Sequence, residues 1–189
     1  MLTGYYETPL VLISILVAIV ASYSALSLAG RVSEATGRTR FAWTLGGALA
    51  MGSGIWAMHF VGMLAFRLPI PIAFDVPITF ASLVLAIGAS GLALWQVSRA
   101  NLGPVRLGAS AVIMGIGINA MHYTGMAAMR MQPAIVYDPL LFALSVLIAV
   151  VASALALWIA FRLRRSTPDV WVPRIGAAVV MGFAIVGMH

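Results

Sequence analysis

Three histidines, the only ones in the chain, stand at the same point of one phrase written three times. The copies read Met51-Gly52-Ser53-Gly54-Ile55-Trp56-Ala57-Met58-His59, Met114-Gly115-Ile116-Gly117-Ile118-Asn119-Ala120-Met121-His122 and Met181-Gly182-Phe183-Ala184-Ile185-Val186-Gly187-Met188-His189. The histidines are 63 and 67 residues apart, so an internal repeat supplies one imidazole per copy. Each lies in a strongly apolar stretch, where an ionisable group is costly and therefore marks a candidate functional site. Met63 and Met126 follow at i+4, about 40° around a helix and one turn on, on the same face as the imidazole. Met58, Met121 and Met188, at i−1, are displaced by about 100°.

Imidazole and thioether, with no carboxylate inside the motif, form a soft to borderline ligand set suited to copper: Met favours Cu(I) and His serves both oxidation states. Zinc would accept three histidines but leaves the paired methionines without a purpose. The expected metal ligands are His59, His122, His189, Met63 and Met126. Haem is the weaker alternative, because bis-His ligation uses two imidazoles and leaves the third, with its methionines, idle. Against all metal readings stands a bland one, in which the histidines are hydrogen-bonded packing residues and the methionines core filler.

The elements that carry these residues must sit in lipid. The 189 residues are 62% hydrophobic and 8% charged, with mean hydropathy +1.05, outside the range of soluble domains. Six apolar segments, Pro9 to Gly30, Phe41 to Phe66, Ile78 to Val97, Val105 to Met129, Leu140 to Phe161 and Trp171 to His189, approach the ~20 residues a spanning helix requires. Continuous apolarity, rather than alternation, selects helices over barrel strands. The predicted fold is an all-α membrane bundle of at least six transmembrane helices, built from three helix-pair repeats over about 1–66, 67–130 and 131–189. The first segment is too long, and lacks the basic start, for a cleaved signal peptide.

A net charge of +6 would suggest nucleic acid in a soluble domain. Here all eleven basic residues are Arg, and almost all lie between apolar runs, which makes them topology determinants and excludes a nucleic-acid partner. The linkers after segments one, three and five carry nine of them (Arg31, Arg38, Arg40, Arg99, Arg106, Arg162, Arg164, Arg165 and Arg174), against Glu34 and Asp169. The other two linkers hold Arg67 and Arg130, balanced by Asp75 and Asp138. The positive-inside rule therefore puts the N-terminus outside and the Arg-rich linkers in the cytoplasm. Trp43, Trp95, Trp158 and Trp171 mark the cytoplasmic interface, and Trp56 lies deeper. The histidines come 19, 16 and 15 residues after Arg40, Arg106 and Arg174, at a common depth of roughly 22 to 28 Å into a ~30 Å core.

The odd segments repeat as well, through Ala18-Ile19-Val20-Ala21-Ser22, Ala86-Ile87-Gly88-Ala89-Ser90 and Ala149-Val150-Val151-Ala152-Ser153. Each is entered through an acid and a proline, Glu7 with Pro9, Asp75 with Pro77 and Asp138 with Pro139, which reads as a solvated rim and a helix start. Three helix pairs of one orientation suggest a pseudo-threefold bundle. Gly46, Gly47, Gly52, Gly54, Gly115, Gly117, Gly176 and Gly182 read as packing residues that let helices approach in lipid. Catalysis finds no support: there is no Cys, no acid within an apolar segment, no nucleophilic triad and no P-loop. Cation transport along a Met- and His-lined path is a further alternative, although the inner halves of the segments offer mainly Gly, Ala and Leu.

On these residues the chain resembles the MHYT family of integral membrane sensor domains, named for the word found here as Met121-His122-Tyr123-Thr124. The similarity covers essentially the whole chain. It implies a bacterial inner-membrane sensor that binds copper through its Met and His residues, senses a diatomic gas such as oxygen, carbon monoxide or nitric oxide, and is not itself an enzyme. The resemblance implies a cytoplasmic output domain as partner, either diguanylate cyclase and phosphodiesterase or a histidine kinase; membrane lipids and a second copy of the chain in a homodimer are further expected partners. The first copy departs from the word as Met58-His59-Phe60-Val61, so a tyrosine hydroxyl is available only at Tyr123. The third stops at His189 in mid-motif, and a seventh helix is expected beyond it.

Overall fold

A computed structural model describes residues 4–99, 103–132, 135, 137–164 and 171–186. Six helices account for most of them: α1 (Thr8–Glu34), α2 (Gly37–Ala65), α3 (Val76–Val97), α4 (Pro104–Ala127), α5 (Pro139–Leu163) and α6 (Trp171–Val186). The first five are long and apolar enough to cross a membrane, as the composition requires of a multi-pass protein. Prolines stand in the first turn of α1, α3, α4 and α5, where a missing N–H costs nothing.

Four two-residue strands, not anticipated from the sequence, tie the helix pairs at the histidine-bearing end. Strand β1 (Tyr5–Tyr6) pairs antiparallel with β2 (Phe66–Arg67), and β3 (Ala73–Phe74) with β4 (Met129–Arg130). Each ladder joins the entry of an odd helix to the exit of the even helix in the same repeat. The acids of the rim complete it. Glu7 N–H donates to Ala65 O, and Asp75 N–H to Ala128 O, both at 2.8 Å. Glu7 and Asp75 then pair with Arg67 (3.0 Å) and Arg130 (2.6 Å). Asp75 also caps α3 by accepting from Ile78 N–H, and Asp138 caps α5 by accepting from Leu140 and Leu141 N–H. The acids are therefore structural clasps and caps, more than a solvated rim. The Arg130 guanidinium and the Ile78 amide hold the Asp75 carboxyl below its usual range.

Glycines lock the helices into a closed ring. A Cβ at Gly52 would lie 2.5 Å from the Ile87 backbone, one at Gly115 would lie 2.9 Å from Val150 Cα, and one at Gly182 would lie 3.1 Å from Ile19 N. These three contacts join α2 to α3, α4 to α5 and α6 to α1, at equivalent positions of the repeat. Within repeats, Gly54 sits on Ala21 and Gly117 on Ala89, at 2.9 and 3.1 Å from a built Cβ to the alanine Cβ. In sequence the third repeat has Ala184 at the corresponding position, and among the described residues α5 and α6 are the sequential neighbours that pack least closely. A Cβ at Gly46 or Gly176, in contrast, would meet nothing within 4 Å among the described residues, and neither acts as a packing residue there.

At the arginine-bearing end, guanidinium groups lie over tryptophans, Arg31 on Trp43 (4.9 Å), Arg99 on Trp95 (4.0 Å) and Arg162 on Trp158 (5.5 Å). The pattern fits an interfacial belt of aromatic and cationic side chains. Arg164 donates to Val97 O and Arg99 O, bridging the ends of α5 and α3.

Candidate functional site

Two of the repeated histidines meet. His59 of α2 and His122 of α4 stand with ring centroids 4.8 Å apart and planes at 57°, although their positions are 63 residues apart in sequence. His59 is fully buried. The reason is local: α4 carries Gly125 one turn beyond His122, and a Cβ there would lie 2.5 Å from His59 Nε2. The missing side chain makes the space that the imidazole occupies. His189 lies outside the described residues.

The methionines divide. Met63 is buried on α2 one turn beyond His59. Met126 is half-buried and lines a groove of about 720 Å³ at the histidine-bearing end, with Ile70, Met129, Arg130, Met131 and Tyr137. Neither of the described histidines lines that groove. Met121 points instead to a small internal cavity of about 30 Å³, shared with Met51, Met114 and Ser90. Among the described residues no three His, Cys, Asp or Glu side chains cluster in a metal-binding arrangement, so the two imidazoles are the described nucleus of the site.

A layer of aromatic and hydroxyl groups holds this nucleus. Phe60 lies edge-on to His59 and packs on Trp56 and Phe74. Tyr123, its counterpart in the second repeat, lies edge-on to His122 and packs on Tyr137 and Phe142. Partial desolvation raises the Tyr137 hydroxyl above its ordinary pKa, with the neighbouring Tyr123 adding to the shift. Three equivalent serines, each seven residues after a rim acid, reach across from the odd helices. Ser14 Oγ donates to Met58 O at 3.0 Å, Ser82 Oγ accepts from Trp56 Nε1 at 3.0 Å, and Ser145 Oγ bonds the Tyr123 hydroxyl at 2.6 Å. These serines were missed in the sequence reading. Their constant offset from Glu7, Asp75 and Asp138 was the available signal.

The fold and this layer define a membrane-embedded helical bundle of repeated pairs, with imidazoles brought together at one end. Within that class, the chain belongs to the MHYT family, described as a bacterial signalling protein N-terminal repeat, whose model matches residues 2–42, 52–110 and 115–172. It is similar over its full length, at 59% identity, to the bifunctional diguanylate cyclase/cyclic di-GMP phosphodiesterase MucR of Pseudomonas aeruginosa. It is 45% identical over 97% of its length to the cyclic di-GMP phosphodiesterase NbdA of the same species, and 38% identical over 97% to the signaling protein YkoW of Bacillus subtilis. The chain spans 28%, 24% and 23% of these relatives. No solved structure matches it.

Proposed function

We propose that this chain is the sensory part of a membrane signalling protein, in which His59, His122 and His189 hold one copper ion, with Met63 supplying a thioether near it and Met126, on the outer groove, reaching it only if its side chain turns inward. The observation that carries the reading is the convergence of His59 and His122 from equivalent turns of two repeats to 4.8 Å. Their surroundings fit the ion: His59 is buried and His122 partly so, the potential donors are imidazole and thioether, and Gly125 leaves the room that one imidazole needs. When bound, copper would supply a coordination position able to take a diatomic gas such as oxygen, nitric oxide or carbon monoxide. The protein's own contribution is to fix the imidazoles through the Phe60 and Tyr123 layer and to exclude water.

Signalling then requires a ligand with different affinity for two packings of α2 and α4. Those helices run from the histidine layer to the arginine-bearing end; the Arg distribution supports a cytoplasmic position for that end in a bacterial inner membrane, with the N-terminus periplasmic. The relatives named for cyclic di-GMP turnover support an output domain of that kind, with a histidine kinase as the other candidate. Bis-His haem is disfavoured, because imidazole centroids 4.8 Å apart leave no room for a macrocycle between them.

The test is metal analysis by mass spectrometry of the protein purified in detergent, beside His59→Ala, His122→Ala and His189→Ala. About one copper per chain, lost in each variant, is expected. Folded protein that binds no copper, or copper indifferent to all three substitutions, would overturn the proposal.

A further inference from the structure

A second site lies deeper, between the histidine layer and the arginine-bearing end. All three repeats enclose a cavity of about 220 Å³, into which the equivalent Met51, Met114 and Met181 all face. Small residues of the odd helices, Ala21, Ala25, Ala152 and Ala156 among them, leave the space. Leu155 of α5 and Val180 of α6 also line it, yet they are 54% and 64% exposed, so the cavity opens sideways between these two loosely packed helices. In a membrane that opening faces lipid.

Two hydroxyls inside it lack an acceptor. Ser22 and Ser153 are 3% and 1% exposed, line the cavity, and have no hydrogen-bond partner among the described residues. Their neighbours one motif away behave differently, since Ser82 and Ser145 each donate to the carbonyl three residues back. Ser90, the equivalent in the second repeat, is also buried without a partner and lines the adjoining 30 Å³ space. All three stand nine residues from an arginine (Arg31, Arg99, Arg162), about 14 Å deep and hence near mid-membrane. A buried hydroxyl with no acceptor is costly, and water needs more polar partners than this aliphatic lining offers. An acyl chain would fill the volume and leave the donors unmet. No charged side chain is among the described lining residues, which excludes carboxylate and phosphate head groups at this depth.

We infer that this cavity binds an uncharged, lipid-soluble carbonyl compound of the quinone class, its ring oxygens accepting from Ser22 and Ser153 and its tail leaving between α5 and α6. The occupant sets how closely α6 approaches α5, giving the bundle an input separate from the histidine layer. The inference does not rest on the copper reading.

The experiment is equilibrium binding of radiolabelled decylubiquinone to the full chain in phosphatidylcholine nanodiscs, with decane as competitor. Saturable binding near one per chain is expected, weakened about fivefold by Ser22→Ala or Ser153→Ala and unchanged by His59→Ala. Ala156→Phe, which fills the space, should abolish it, and the smaller Ala156→Leu should reduce it if the former fails to fold. The serine variants, freed of an unpaired hydroxyl, should melt no lower than wild type without quinone. Absence of saturable binding, displacement by decane at equal concentration, or binding indifferent to both serine variants would overturn the assignment.

Discussion

Gly125→Ala is the sharpest probe of the histidine layer, because it alters the site without removing a polar atom. The added Cβ would lie 2.5 Å from His59 Nε2 and 2.9 Å from Cδ2, whereas ordinary van der Waals contact begins near 3.4 Å. The ring or the helix must yield by about 0.9 Å, and overpacking of this kind costs about 1–3 kcal/mol. Metal–ligand distances tolerate about 0.2 Å, so the same shift should lower copper occupancy. Gly108→Ala is the control: it lies on the same helix with nothing within 4 Å, and relief of the glycine penalty should leave stability equal or higher by up to about 1 kcal/mol. Thermal unfolding in detergent and metal analysis of both variants read the two effects together. If Gly125→Ala melts and binds copper like Gly108→Ala, His59 does not lie against α4 and the convergence argument fails.

Alanine at Gly52 or Gly115 meets helix backbone rather than a movable side-chain end, so each should cost about 1–3 kcal/mol, while Gly46→Ala should be tolerated, as melting temperatures will report. Tyr123→Phe removes the 2.6 Å bond to Ser145, and a double-mutant cycle with Ser145→Ala should give a coupling of about 0.6 to 1.7 kcal/mol. Asp75 has a folded-state pKa below its unfolded value, so its contribution is present above about pH 4 and is lost as pH falls through the lowered value. The melting-temperature difference between wild type and Asp75→Asn should therefore shrink on acidification. Arg130→Ala should move that loss to higher pH, because the first cause of the depression is the Arg130 hydrogen bond.

Much of this arrangement was legible before any coordinates, and what escaped did so for identifiable reasons. Gly52, Gly54, Gly115, Gly117 and Gly182 read correctly as close-approach positions, but Gly46 carried the same signal and touches nothing. Composition cannot separate them, since helix phase decides which glycine faces a neighbour. Glu7 and Asp75 were visible as repeated acids, whereas their bonds to Arg67 and Arg130 depend on chain segments 60 and 55 residues apart. The two-residue ladders left no sequence trace because so short a strand has no periodicity to display. Met126 shows the limit of the i+4 argument: an offset of about 40° puts it near the imidazole's face, and its side chain nevertheless lines the outer groove.

By itself the sequence determined the solvent, the helical spans and the threefold repetition. These follow from hydropathy, length and periodicity, which are properties of the chain in one dimension. Only the tertiary structure decided that His59 and His122 face one another, that Met51, Met114 and Met181 share an inner cavity, and that among the described residues the ring is loosest between α5 and α6. Helical spacing sets the angle between residues on one helix but leaves the rotation of that helix against its neighbours undetermined. Here that rotation comes from backbone approaching backbone at Gly52 with Ile87, Gly115 with Val150 and Gly182 with Ile19, contacts that exist only once the three repeats close on one another.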